Sequence, residues 1–213
     1  MRRRWHVGMF DFDGTLWNSK MLNYGSMAAI FQSFELPVPS MEEFVMTSSI
    51  RDLMDFYRAH GVPQSATRDQ LRSIKNRYFE VHWKEAPLFD GTFKLLRICR
   101  ELGMLTAIVS GQDREWLTRV LTERKISAFF DDIHGSVRGK EDALVQPLDY
   151  FGVKAEDAFY LDDTREGLTA AKDLGITAIG ITHGLHKRAL IEEARPDFIV
   201  DSLFEVIELL LAQ

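Results

Sequence analysis

Apolar, β-forming runs that stop at a polar or small residue recur along this chain. WHVGMF ends at Asp11, LTAIV at Ser110, AFYL at Asp162, ITAIGI at Thr182 and DFIV at Asp201. Between the later runs, apolar positions return every three or four residues, which predicts helices over 92–102, 114–123, 141–151, 165–174 and 187–194. Strands alternating with helices of about ten residues read as βαβ units, hence as a parallel sheet covered by helices on both faces. Runs that are apolar throughout fit strands buried on both sides. Ligands of such sheets bind beyond the carboxyl ends of the strands, and that is where this chain carries its acids and Ser110.

Residues 17–86 break the alternation. No strong strand occurs there, and MLNYGSMAAIFQSF, SIRDLMDFYRAHG and TRDQLRSIKNRYFEVHWKEA are amphipathic at helical spacing. Turn-prone LPVPS and GVPQSA separate them, and Ser40 and Ser65 fit helix N-caps. The fold class expected is therefore α/β: a Rossmann-like doubly wound parallel sheet from 1–16 and 87–213, with a small helical cap domain, 17–86, inserted after the first strand and lying over the site. Met21, Met27, Met41, Met46 and Met54 fall in the cap, where they are expected to fill an adaptable core.

Composition narrows the class. The chain has 213 residues, 46 % of them hydrophobic, enough for a full core. A net charge of −6 argues against a nucleic-acid groove. No apolar run approaches the roughly 20 residues of a membrane span. A single cysteine, Cys99, excludes an internal disulfide and a cysteine metal cluster; its place in a helical pattern predicts a buried, structural thiol. His6, His60, His82, His134 and His186 lack metal-ligand spacing. A cytoplasmic protein, monomeric or homodimeric, is the expectation.

The chemistry begins at MFDFDGTLW. Asp11 and Asp13 follow an apolar strand, and alternation points residues i and i+2 the same way. Carboxylates so placed repel unless a proton or a cation sits between them. Ser110 in AIVSGQ, Lys140 in VRGKEDAL and Asp162-Asp163 in FYLDDTREG supply further polar groups at strand ends or the loops beside them. Taken alone, each of these is an ordinary turn, surface lysine or helix cap. In this order and context the four resemble the motifs of the haloacid dehalogenase-like hydrolase superfamily, over nearly the whole chain from Val7 to Val206. The insert after the first motif resembles the small helical cap of its phosphoglycolate phosphatase and β-phosphoglucomutase-like members.

That resemblance implies a Mg²⁺-dependent phosphatase of a small phosphorylated substrate. Asp11 would be the nucleophile and Asp13 the general acid and base. Asp11, the Asp13 carbonyl and Asp163 would hold the metal, with Asp162, in the place of a glycine of many relatives, as a further candidate ligand. Ser110, Gly111 and Lys140 would bind the phosphoryl oxygens. An aspartyl-phosphate divides the transfer into two easier steps, and positive charge around the equatorial oxygens lowers the barrier. Arg51, Trp17 and His183 are candidate substrate contacts. Asp13 argues against the dehalogenase branch, which carries tyrosine there. A sugar-phosphate phosphomutase is the nearest rival, because Asp162-Asp163 resembles that branch too, although Thr15 stands where hexose phosphomutases commonly have valine. A phosphonate-cleaving enzyme lacks a convincing cap lysine, and an inactive module of the same fold is disfavoured by the intact motifs.

Overall fold

The computed structural model describes residues 5–47 and 53–212. The chain divides into two compact units, Met1–Asn18 with Leu88–Gln213, and Ser19–Pro87. In chain order it runs through β1 (Val7–Phe10) and then α1 (Lys20–Ser33), α2 (Met41–Met46), α3 (Leu53–Ala59) and α4 (Arg68–His82).

These four helices build the smaller unit around Met27, Ile30, Phe31, Met54, Phe56 and Leu71. Helices α1 and α4 cross where Gly25 meets Tyr78; a Cβ at Gly25 would lie 2.1 Å from the tyrosine hydroxyl, so only glycine permits this approach. Ser40 caps α2 through a reciprocal pair of bonds with Glu43. The cap of α4 is Thr67, which accepts from Gln70 N, and not Ser65. Both residues suit the role by type, and only the point where the backbone turns helical decides between them. The methionines are also split. Met27 and Met54 are buried, whereas Met21 and Met46 are 64 % and 46 % exposed, so the cap core draws on only part of the set.

The larger unit continues through α5 (Thr92–Glu101), β2 (Leu105–Val109), α6 (Arg114–Glu123), β3 (Asp132–His134), α7 (Lys140–Phe151) and β4 (Ala158–Asp162). It ends with α8 (Arg165–Asp173), β5 (Thr177–Ile181), α9 (Arg188–Glu193), β6 (Phe198–Val200) and α10 (Leu203–Leu211). All neighbouring strands pair parallel, in the order β3-β2-β1-β4-β5-β6. The edge strand β3 was not among the expected runs. It offers only Ile133 between Asp132 and His134, and pairing with Ala107–Val109 makes it a strand.

Alternation along the central strands decides what faces α7 and α8. Val7, Met9, Ala107, Val109, Ala158 and Tyr160 form one cluster with Ala143, Leu144 and Leu168, where each large apolar side chain contributes about 1.5–3 kcal/mol of burial. Cys99, on α5, is fully buried and its thiol is pushed up to about 12 by that burial, so it stays protonated and unreactive. No described helix is long and apolar enough to cross a membrane.

Candidate active site

The order of this doubly wound sheet reverses between β1 and β4, the place at which ligands of such sheets bind beyond the carboxyl ends. Met9 pairs with Tyr160 and Phe10 with Leu161, and Asp11 N donates to Leu161 O at 2.9 Å. Carried one residue further, this register sets Asp11 beside Asp162. Asp11 and Asp162 therefore continue the face already occupied by Met9 and Tyr160, the face covered by α7. Each of Asp11, Asp162 and Asp163 offers a carboxylate oxygen within 4.8 Å of the others, and all three are buried.

Lys140, the first residue of α7, reaches this cluster. Its ammonium donates to Asp11 Oδ1 at 2.7 Å, Val109 O at 2.6 Å and the Tyr160 hydroxyl at 2.5 Å, and lies 3.6 Å from Asp162 Oδ2. One ammonium against three carboxylates leaves excess negative charge in a buried place. Burial, opposed by Lys140 and reinforced by Asp162 and Asp163, holds the Asp11 carboxyl well above its usual range. Burial and then Asp162 push Asp163 up to about 7. Burial acts to lower Lys140, but Asp11 and Asp162 outweigh it and the ammonium stays charged.

Each acid is locked differently. Asp162 Oδ1 accepts from Thr164 N at 2.7 Å and Thr164 Oγ1 at 2.8 Å, while its Oδ2 is buried without a hydrogen-bond partner. A Cβ at Gly167 would lie 1.9 Å from that oxygen, so glycine at the start of α8 makes room for it. Asp163 Oδ1 accepts from Thr15 Oγ1 at 2.9 Å and Oδ2 from Leu185 N at 2.5 Å. Gly14, at φ +82, belongs to a turn in which Leu16 N and Trp17 N both donate to Phe12 O.

Asp13 is placed apart from the cluster. Strand β1 ends at Phe10, so strict alternation does not extend to residue 13, and the Asp13 carboxylate instead accepts from Gln112 Nε2 at 3.2 and 3.3 Å. Ser110 follows β2 and is fully buried. Its N–H donates to His134 O, its carbonyl accepts from Val137 N, and its Oγ accepts from Gln112 N at 3.1 Å. Towards Gln112 N the Ser110 hydroxyl therefore acts as acceptor, and its own hydrogen is directed elsewhere. Gly111 follows it in the same loop, with a Cβ position 3.5 Å from Val137 O.

Of the candidate substrate contacts, Arg51 lies outside the described residues. Trp17 has no exposed surface and stacks on Phe12 with centroids 5.4 Å apart, which makes it a packing residue of the turn. His183 stacks on Phe89 at 3.7 Å and its Nε2 lies 3.1 Å from Thr15 O. A carbonyl only accepts, so Nε2 carries the hydrogen; burial lowers this imidazole and keeps it neutral. Residues not anticipated are Tyr160, Gln112 and His186. His186 N donates to Asp163 O, and its Nδ1 accepts from Arg165 N at 3.0 Å, closing the 183–186 loop around the acidic pair.

Residues 9–181 match the haloacid dehalogenase-like hydrolase family. The chain belongs to this family. Its helical insert over α1–α4 places it with the phosphoglycolate phosphatase and β-phosphoglucomutase-like members. It is 26 % identical to the phosphoglycolate phosphatase of Vibrio cholerae, over 95 % of each chain. The fold is that of a haloacid dehalogenase-like family protein, SP0104 of Streptococcus pneumoniae, with a TM-score of 0.77 at 23 % identity over 96 % of this chain and 98 % of that one. It is also that of CbbY from Rhodobacter sphaeroides, solved in complex with phosphate, with a TM-score of 0.82 at 21 % identity over 94 % and 96 %. For this hydrolase family the buried Asp11, Asp162 and Asp163 group suggests a metal site.

Proposed function

We propose that this hydrolase is a Mg²⁺-dependent phosphatase that acts on a small phosphomonoester through an aspartyl-phosphate at Asp11. The observation that carries the reading is the cluster of Asp11, Asp162 and Asp163 within 4.8 Å, with Lys140 bonded to Asp11. The donor set fits a hard divalent cation: the three side-chain donors are carboxylates, their net charge is negative, and Asp162 Oδ2 has no hydrogen-bond partner. Asp11, Asp163 and Asp162, with the Asp13 carbonyl, would hold Mg²⁺. Bound there, the ion would neutralise the acids and the phosphoryl oxygens beside them.

The residues divide the remaining work. Asp11 attacks phosphorus as the alcohol leaves, and the acyl phosphate so formed is then hydrolysed by water. Asp13 gives the leaving oxygen its proton and later takes one from that water. Ser110 donates its hydroxyl hydrogen to a phosphoryl oxygen and Lys140 neutralises developing charge. His183, hydrogen-bonded to Thr15, steadies the turn that carries Asp13 and Gly14. The phosphatase names among relatives support this reading, as does the family's hydrolase description. The experiment is a phosphomonoester panel with Mg²⁺, read by free phosphate and by product analysis. Free phosphate with the dephosphorylated alcohol is the expected result. An isomerised sugar phosphate in place of free phosphate would make the protein a phosphomutase, and no turnover on any ester would make it an inactive member of the fold.

A further inference from the structure

Gln112 is an uncharged side chain with 3 % of its surface exposed, set among the polar groups of the site. Four of its groups are engaged. Its N–H donates to Ser110 Oγ at 3.1 Å, and its carbonyl accepts from Ser136 N at 2.7 Å. Its Oε1 accepts from Asp113 N at 3.0 Å, and its Nε2 donates to both oxygens of Asp13. A backbone N–H cannot accept, so the bond from Asp113 identifies Oε1 and fixes the amide with its NH₂ towards Asp13. The backbone is held as firmly: Ser136, in a left-handed conformation at φ 59, also accepts from Arg114 N through its hydroxyl, tying the loop after β3 to the start of α6.

We infer that Gln112 is a positioning residue whose side-chain amide aims the Asp13 carboxyl at the leaving-group oxygen. The inference rests on the phosphatase reading given above. Asp13 lies beyond the end of β1, where no strand ladder orients its side chain, and Gln112 supplies an anchor from the loop after the neighbouring strand β2. Proton transfer needs donor and acceptor in hydrogen-bond reach, and a misplacement of about 1 Å costs about 10²-fold in rate. Gln112 itself touches no reacting atom.

Leaving-group chemistry separates positioning of the acid from a general structural role. A para-nitrophenolate leaves without a proton, whereas an alkoxide needs one from Asp13. Gln112→Met keeps length and volume but removes the amide. Gln112→Glu keeps an acceptor for Asp113 N but replaces the donor to Asp13 with a group that, when ionised, repels it. Both variants are compared with the wild type by rapid-quench kinetics with Mg²⁺, on para-nitrophenyl phosphate and on an alkyl phosphomonoester that the wild type hydrolyses.

In both variants the alkyl ester is expected to lose about 10²-fold in its first-turnover rate. The para-nitrophenolate burst should stay within about threefold of wild type while its steady-state rate falls, because water activation also uses Asp13. Equal losses on both esters in the burst phase, or no loss on the alkyl ester, would overturn the role assigned to Gln112. If Gln112→Met is poorly folded, Gln112→Glu alone decides. A wild type inactive on every ester overturns the underlying reading instead, and the role of Gln112 with it.

Discussion

A Cβ added to Gly14 would stand 2.1 Å from Asp163 Oδ2, although 149 residues separate the two along the chain. The first motif's turn and the last motif's carboxylate therefore interlock, and glycine is what lets them. Gly14→Ala adds this collision to the cost of a left-handed alanine, which alone is roughly 1–2 kcal/mol. Denaturant unfolding should show a loss of at least about 2 kcal/mol, and Mg²⁺ affinity should fall with it.

Lys140 neutralises one of three crowded acids. Removing one partner of a buried pair costs about 3–5 kcal/mol when the other is left charged. Lys140→Met should therefore lower Tm more at about pH 8 than at about pH 5, where protons replace the missing charge. In the proposed mechanism Lys140 also neutralises the phosphoryl oxygens, so turnover should fall about 10²–10³-fold at both. Thermal melts at the two pH values and initial rates check this.

Asp163 titrates at about 7 in the metal-free fold against 3.8 unfolded, because burial and Asp162 disfavour its charge. Between these values the native state binds more protons than the unfolded chain, so the stability of the metal-free protein falls as pH rises through that window. Asp11, shifted in the same direction, adds to the slope. Saturating Mg²⁺ should take the place of those protons, flatten the fall and stabilise by about 2.7 kcal/mol at a hundredfold excess over Kd. Calorimetry across pH, with and without Mg²⁺, reads both effects.

His186 holds the acidic loop through an acceptor nitrogen. Its Nδ1 takes the Arg165 N–H in a place only 2 % exposed. His186→Phe leaves that N–H without an acceptor, at a cost of about 1–3 kcal/mol. His186→Asn, whose carbonyl oxygen can take the same bond, should recover part of the loss. Unfolding free energies and Mg²⁺ titrations of the two variants should rank them in that order.

Much of the fold was readable because strand and helix periods differ so clearly. LTAIV coincides with β2, and the pattern over 114–123 coincides with α6. Polar strand ends were legible for the same reason, since Asp11, Ser110 and Asp162 each interrupt an apolar run. What escaped depends on partners distant in sequence. Strand β3 exists through its pairing with β2. Gln112 meets Asp13 across 99 positions, and neither motif nor charge marks it. Tyr160 left a faint trace: it precedes Asp162 by two residues on one strand, so alternation already put its hydroxyl on the acidic face.

The central claim is that phosphorus passes through Asp11, and the rate of Asp11→Asn on para-nitrophenyl phosphate with Mg²⁺ tests it most directly. The asparagine keeps size and shape but cannot form the acyl phosphate. A folded variant, verified by its melting curve, should lose at least about 10³-fold in turnover. Hydrolysis by that variant at the wild-type rate would contradict the account.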